Sequence, residues 1–215
     1  MSRKNLIVGQ SGGPTAVINS SLYGVVSEGM RHPEAIEHVY GMINGIEGFL
    51  DENIMNLSNM FEHMPYELNR LKLTPAMFLG SCRYKLSGNE EELAKVVSIM
   101  QKYDIGYFIY IGGNDSADTI RIISEEAKKA NYQLRCIHIP KTIDNDLMHN
   151  DHCPGYPSAA RYVSQAFVGL NRDSWALGGT VIAVVMGRHA GFLTAAAAMG
   201  KKFPDDGPHL IYMPE

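Results

Sequence analysis

The sequence predicts an α/β fold built on a Rossmann-like parallel sheet flanked by helices, with the start of a second α/β domain behind it. Three observations carry that reading. Short apolar runs of strand character recur along the chain, and helical segments alternate with them. Two polar loops, Gly112-Gly113-Asn114-Asp115-Ser116 and Pro140-Lys141-Thr142-Ile143-Asp144-Asn145-Asp146, each follow such a run. Open α/β sheets place their ligands at the carboxyl ends of strands.

Taken in order, Asn5 to Val8 reads as a buried strand, Gly9 to Pro14 as a loop, and Thr15 to Glu28 as a helix opened by small polar residues. His38 to Met42 is a second strand, and Gly45 to Pro75 is irregular. A helix follows over Asn89 to Lys102, then a strand over Tyr107 to Ile111, a helix over Ser116 to Ala130, and a strand over Leu134 to Ile139. Beyond the second polar loop, Tyr156 to Val168 reads as a helix, Thr180 to Val185 as a strand, Gly191 to Met199 as an alanine-rich helix, and His209 to Met213 as a last strand. The crowding of Asn, His, Pro and Gly after Asp146 marks a boundary, giving domains over 1–146 and 147–215.

Composition narrows the function classes. With 215 residues, 45% hydrophobic and 20% charged, the chain is globular rather than disordered. Its formal net charge of -4 gives no basic footprint, which argues against nucleic acid as a partner. Anionic ligands then need local positive charge, for which Arg83, Lys141 and Arg188 are the candidates. Cys82, Cys136 and Cys153 form no CxxC pair and no even set, which suits a reducing compartment. Met1 to Lys4 leads directly into a strand without a signal peptide, and no apolar stretch reaches the length of a membrane span. A cytoplasmic location without membrane attachment is expected.

The loops differ in how much chemistry they imply. Gln10-Ser11-Gly12-Gly13-Pro14 lies between a strand and a helix, where free amides favour an anion. It lacks the Lys-Ser/Thr of a P-loop and is not GxGxxG, so a plain tight turn explains it equally well. Arg83, after Gly80-Ser81-Cys82, suits either a phosphate clamp or a surface ion pair. For Gly112 to Ser116 the plain alternative is a turn in which Asn114 or Asp115 caps the helix. That alternative leaves the second loop unexplained, where Thr142, Asp144 and Asp146 would share one side of an extended segment. Two carboxylates and a hydroxyl suit a base, a cation ligand and an orienting donor. Met186-Gly187-Arg188-His189-Ala190-Gly191 follows another strand-like run, and the fork of Arg188 matches phosphate oxygens. His149-Asn150-Asp151-His152-Cys153 has metal-capable residues, but no second cluster completes a site.

Together and in this order, Ser11-Gly12-Gly13, Gly80 to Arg83, Gly112 to Ser116, Pro140 to Asp146 and Met186 to Gly191 resemble the phosphofructokinase family. The likeness covers nearly the whole chain, and the Thr-Ile-Asp-Asn-Asp and Met-Gly-Arg segments carry most of its specificity. It implies the glycolytic transfer of a phosphoryl group to the 1-hydroxyl of fructose 6-phosphate, with Mg²⁺, in a homo-oligomer. By the same resemblance Asp144 is the catalytic base, with Thr142 and Asp146 as its companions. Arg188 and Lys141 join them as catalytic residues, and Met186 and Gly187 join Thr142, Asp144, Asp146 and Arg188 in substrate binding. Gly12, Gly13, Arg83, Gly113, Asn114, Asp115 and Ser116 are expected on the donor phosphates, with Asp115 and Asn114 towards the metal. The first domain is then the donor-binding one and the second the beginning of the sugar-phosphate domain.

Two positions bear on the donor. ATP-using members of the family typically read Gly-Gly-Asp-Gly-Ser and Pro-Gly-Thr-Ile-Asp, whereas this chain carries Asp115 and Lys141 where those have glycine. In that respect it resembles the pyrophosphate-dependent members. A carboxylate about 4 Å from a nucleotide's inner phosphate repels it by roughly 4 kcal/mol at an effective dielectric near 20. That is about a thousandfold in affinity. Lys141 supplies a point charge suited to compact pyrophosphate. Three features depart from the family pattern: Asn114 replaces an aspartate, Gly179 replaces an arginine of the ATP-dependent members, and family members continue well past this length. The alternatives are therefore an ATP-dependent 6-phosphofructokinase and a noncatalytic phosphate-binding or regulatory module.

Overall fold

The computed structural model describes residues 3–213. One compact unit ends at Lys141 and a second begins at Thr142. The absence of a leader was read partly from Met1 and Ser2, which lie outside the described residues.

The first unit is a five-stranded sheet in the order β3-β2-β1-β4-β5. Its strands are β1 (Lys4–Gln10), β2 (Ile36–Met42), β3 (Ile54–Asn56), β4 (Ile105–Gly112) and β5 (Arg135–Pro140). β2, β1, β4 and β5 run parallel, and the short edge strand β3 pairs antiparallel to β2. The sheet is thus mixed rather than purely parallel, because β3 returns through a tight connection from α2 (Gly45–Leu50) instead of through a crossover helix.

Alternation along each strand supplies both faces with core. Leu6 and Val8 of β1, with Ile109 and Ile111 of β4, pack against Ile18, Leu22, Val25 and Val26 of α1 (Ile18–Arg31). Ile7, Phe108 and Tyr110 face the other way, towards Phe49 of α2, Val96 and Met100 of α5 (Glu90–Lys102), and Ile120 and Ile123 of α6 (Asn114–Lys129). Burial on both sides is why β1 and β4 read as continuous apolar runs. Between β2 and β4 the chain also forms α3 (Leu57–Phe61), α4 (Pro65–Arg70) and a 3₁₀ turn at Leu71–Leu73, where the sequence reading had only an irregular stretch.

α5 begins where expected, because the Asn89 side chain accepts from the Glu92 amide at 2.8 Å. α1 starts later than expected: Thr15 lies before it, and Val17 precedes the first turn without a side-chain cap. The helix then continues to Arg31, short of the breaker Pro33.

In the second unit α7 (Tyr156–Leu177) runs nine residues past the expected end at Val168, stopping at Gly178. The lone Gly169 does not interrupt it, as one glycine lowers helix stability without ending a helix. α8 (Phe192–Ala196) follows, with a 3₁₀ turn at Ala197–Gly200. Leu193 and Ala196 bury against Ala160 of α7, with Ile143 packed at the edge of the cluster. The strands expected over Thr180 to Val185 and His209 to Met213 do not form; those residues join no ladder among the described residues. Among the described residues, no helix is long and apolar enough to cross a membrane.

Candidate active site

Strand order places the first half of the site. β2 lies on one side of β1 and β4 on the other, so connections leave β1 and β4 in opposite directions and open a crevice at their carboxyl ends. The Gln10 to Pro14 loop leaves β1 there, and Gly113 opens α6 just past β4. The Ser11 amide donates to the Ile111 carbonyl at 3.0 Å, and the Lys141 amide to the Gly112 carbonyl at 3.0 Å. Three chain segments distant in sequence are thereby held side by side.

The glycines have specific reasons. Gly12 sits at φ +78°, and a Cβ there would lie 3.1 Å from the Lys141 Nζ. Lys141 is buried and donates through Nζ to the Gly13 carbonyl at 2.6 Å, laying its ammonium over the turn. Any side chain at Gly112 would collide with the Ser116 hydroxyl, and Ser116 is itself buried. Ser116 therefore packs under the loop, while Gly12 and Gly13 form the rim beside Lys141.

α6 corrects the capping alternative. Its N-cap is Gly113, which has no side chain to cap with, so Asn114 and Asp115 occupy the first two helical positions. Asp115 instead pairs with Lys85 at 2.8 Å, both side chains largely exposed. Lys85 was not singled out from the sequence; its signal was its place two residues after Arg83. Arg83 is exposed on that same segment.

A buried amide pair ties this segment to the sheet. Gln10 donates through Nε2 to Asn19 Oδ1 at 2.9 Å and accepts the Leu79 amide at 2.9 Å. Asn19 accepts the Phe78 amide at 3.0 Å and donates to the Thr74 carbonyl at 2.9 Å. Ser81 Oγ then donates to the Gly12 carbonyl at 2.6 Å. Below β4, His138 Nε2 lies 3.0 Å from the Gly112 carbonyl. Since a carbonyl only accepts, the proton is on Nε2. Burial holds this imidazole below its usual range, so it is neutral at pH 7.

The catalytic candidates of the second unit sit in a closed loop. The Thr142 amide donates to the Pro154 carbonyl at 3.0 Å, and Thr142 forms a parallel bridge with Gly155. Thr142 Oγ1 accepts the Asp144 amide at 3.1 Å. Asn145, at φ +59°, is buried; its Oδ1 accepts the Cys153 amide at 2.7 Å and its Nδ2 donates to the Asp151 carbonyl at 3.1 Å. The loop is bent rather than extended, so Thr142, Asp144 and Asp146 do not share a side by alternation. Asp144 is half-buried and Asp146 exposed. Asn145, unremarked from sequence except as part of the motif, is the residue that holds the turn.

Met186 and Arg188 are exposed, on a turn closed by the Ala190 amide donating to the Gly187 carbonyl at 3.0 Å. That turn follows a segment without regular structure rather than the end of a strand. The His149 to Cys153 cluster forms no metal cage: among the described residues no group of three or more His, Cys, Asp or Glu side chains is placed to hold an ion.

The chain is similar to known proteins. The family model for phosphofructokinase matches residues 5–215. A pyrophosphate–fructose 6-phosphate 1-phosphotransferase of Rhodospirillum rubrum is 55% identical over 215 residues, covering 100% of this chain and 52% of the relative. A crystal structure of a pyrophosphate-dependent phosphofructokinase from Marinobacter aquaeolei superposes with a TM-score of 0.84 at 38% identity, over 97% of this chain and 52% of that one. An ATP-dependent 6-phosphofructokinase of Glaesserella parasuis is 32% identical over 212 residues, 99% of this chain and 60% of the relative. The chain thus spans about half the length of the pyrophosphate-dependent relatives it matches. With a matching family model over almost all of its length, and the glycine turns and Thr-Ile-Asp-Asn-Asp loop in place, the chain belongs to the phosphofructokinase family.

Proposed function

We propose that the chain carries donor-binding and catalytic residues of a pyrophosphate-dependent 6-phosphofructokinase, which transfers a phosphoryl group from pyrophosphate to the 1-hydroxyl of fructose 6-phosphate and yields fructose 1,6-bisphosphate in glycolysis. The observation that carries the donor assignment is the Lys141 ammonium laid over the Gly12-Gly13 turn, 2.6 Å from the Gly13 carbonyl. A glycine at position 141 would leave that space open to a larger donor. A buried lysine fills it and presents charge to a small, dense anion.

In this reading the first unit holds the donor phosphates through the Gly12, Gly13 and Gly113 backbone, Arg83, Lys141 and the first turn of α6, where Asn114, Asp115 and Ser116 lie. The second unit supplies Asp144, which accepts the proton of the attacking hydroxyl and whose backbone N–H donates a hydrogen bond to Thr142 Oγ1. Asp146, Met186 and Gly187 flank the acceptor, and Arg188 balances the charge of the group in transit. Mg²⁺, when bound, would be held by Asp115 and Asn114 together with the donor phosphates and would neutralise charge there. Such an ion keeps waters and phosphate oxygens and needs only one or two carboxylates, which fits the exposed Asp115 beside Asn114. Assembly into a homo-oligomer and a cytoplasmic setting complete the proposal.

The structure changes one magnitude. Asp115 is exposed and paired with Lys85, so its repulsion of a nucleotide phosphate is nearer the roughly 1 kcal/mol expected at 4 Å in water than the low-dielectric figure. Asp115 then accounts for about fivefold discrimination, and Lys141 carries the larger share. The test is a coupled assay of the chain joined to the remaining half of the Rhodospirillum rubrum relative. Turnover of fructose 6-phosphate with pyrophosphate and not ATP is expected; turnover with ATP alone would overturn the donor assignment.

A further inference from the structure

We infer that Tyr110 is a positioning residue for the donor phosphates, its buried hydroxyl fixing the Ser11 side chain so that the Gly12-Gly13 turn and the Arg83 segment keep one spacing. This role rests on the reading of the first unit as the donor side. Tyr110 lies on β4 two residues before Gly112 and is 1% exposed. Its hydroxyl accepts the Ile46 amide at 3.1 Å, hydrogen-bonds the Ser11 side chain, and lies 3.9 Å from Cys82 Sγ. Ser11 directly precedes Gly12, and Cys82 directly precedes Arg83. One oxygen therefore reaches both of the segments that carry donor-side groups, and the start of α2 as well.

Packing alone does not call for that hydroxyl. A phenylalanine would fill the same core, as Phe108 does two residues earlier, without burying a polar group that needs partners. The neighbouring backbone is cut to admit it: a Cβ at Gly45, φ +62°, would lie 2.8 Å from the Tyr110 oxygen, 3.0 Å from Cys82 Sγ and 3.0 Å from the Gln10 carbonyl oxygen. Burial holds the phenol well above its usual range, so it keeps its proton and, after accepting from Ile46, still has one to donate. A second tie joins the same two segments, from Ser81 Oγ to the Gly12 carbonyl at 2.6 Å. Removing the Tyr110 hydroxyl thus leaves the segments attached but free to shift. Groups that bind phosphate lose much of their effect when they are slightly misplaced.

Tyr110→Phe and Ser11→Ala, made singly and together in the chain joined to the remaining half of the Rhodospirillum rubrum relative, provide the test. Calorimetry with pyrophosphate, with ATP and with fructose 6-phosphate reads each ligand separately. Tyr110→Phe should weaken the donor that the unsubstituted protein binds by about five- to tenfold, while fructose 6-phosphate affinity changes by less than about twofold. Because Tyr110 acts through Ser11, the double variant should bind the donor no more than about twofold more weakly than Ser11→Ala does. A merely structural role would weaken both substrates alike or add the two losses in full. Either result would overturn the inference, as would unchanged donor affinity in Tyr110→Phe. If Tyr110→Phe does not fold, Ser11→Ala carries the test, since Ser11 is only half-buried: a loss confined to the donor supports the inference, and unchanged donor affinity overturns it. A protein that binds ATP rather than pyrophosphate would refute the donor assignment alone, because the Tyr110→Phe loss is then read on ATP.

Discussion

In the first unit each strand of the sheet has a ladder neighbour and both faces carry helices, whereas in the second unit the residues with the strongest strand character have no ladder partner among the described residues. The two regions therefore hold their polar loops by different means. Gly12, Gly112 and Lys141 are positioned by the sheet itself, through backbone bonds between the ends of β1, β4 and β5 and through the buried Gln10 and Asn19 amides. The Thr142 to Gly155 loop is positioned locally, by Thr142, Asn145 and a small cluster around Ala160 and Leu193. The Gly12 to Lys141 cluster is thus built into a finished core, and the Thr142 to Gly155 loop rests on a smaller, local one.

That contrast breaks most visibly at the Thr142 to Gly155 loop. Asp144→Asn, in the chain joined to the rest of the relative, should lower kcat by a factor on the order of 10² to 10⁴ while pyrophosphate affinity from calorimetry changes little. A matching loss of donor affinity would mean that Asp144 belongs to the donor side. The next effect is on stability. Phe108→Ala removes a fully buried ring from the first unit's core and should destabilise it by about 3–5 kcal/mol in urea melts, whereas Val184→Ala in the chain alone should stay within about 0.5 kcal/mol. Equal losses would show that the second unit is as well packed as the first. Asn145→Ala leaves the buried Cys153 amide without its acceptor and should cost about 1–3 kcal/mol, with a fall in kcat that Asn145→Asp partly restores.

The smallest effect lies in the pH dependence of the first unit. Because burial lowers the His138 pKa, the unfolded chain binds a proton that the folded unit refuses between the ordinary and the lowered value. His138 therefore contributes stability above about pH 6.5, and that contribution is lost progressively as the pH falls through the lowered folded value. Urea midpoints measured from pH 7.5 down to 5 should fall, and His138→Gln should flatten the slope. An unchanged slope would remove His138 from the explanation.

Much of the first unit was legible because its signals are local: two-sided apolar runs for β1 and β4, and an Asn89 cap for α5. β3 was not, since three residues carry no periodicity, and neither was the true start of α1, where Thr15 imitates a cap. The candidate residues were legible as motifs but not as geometry. Lys141 meets Gly13 across 128 residues, a contact no window of sequence displays. The partnership of Asp115 with Lys85 was equally hidden. The runs at Thr180 and His209 were read as strands and form none among the described residues, because a strand requires a neighbour and neighbours are not encoded in the run itself.

The assignment of the donor to Lys141 and Asp115 is tested most directly by the ratio of kcat/KM for pyrophosphate to that for ATP, measured for the joined protein and for its Asp115→Gly, Lys141→Gly double variant. A ratio strongly in favour of pyrophosphate that falls at least tenfold in the variant is the expected result. A protein that already prefers ATP, or a ratio that the two substitutions leave unchanged, would contradict it.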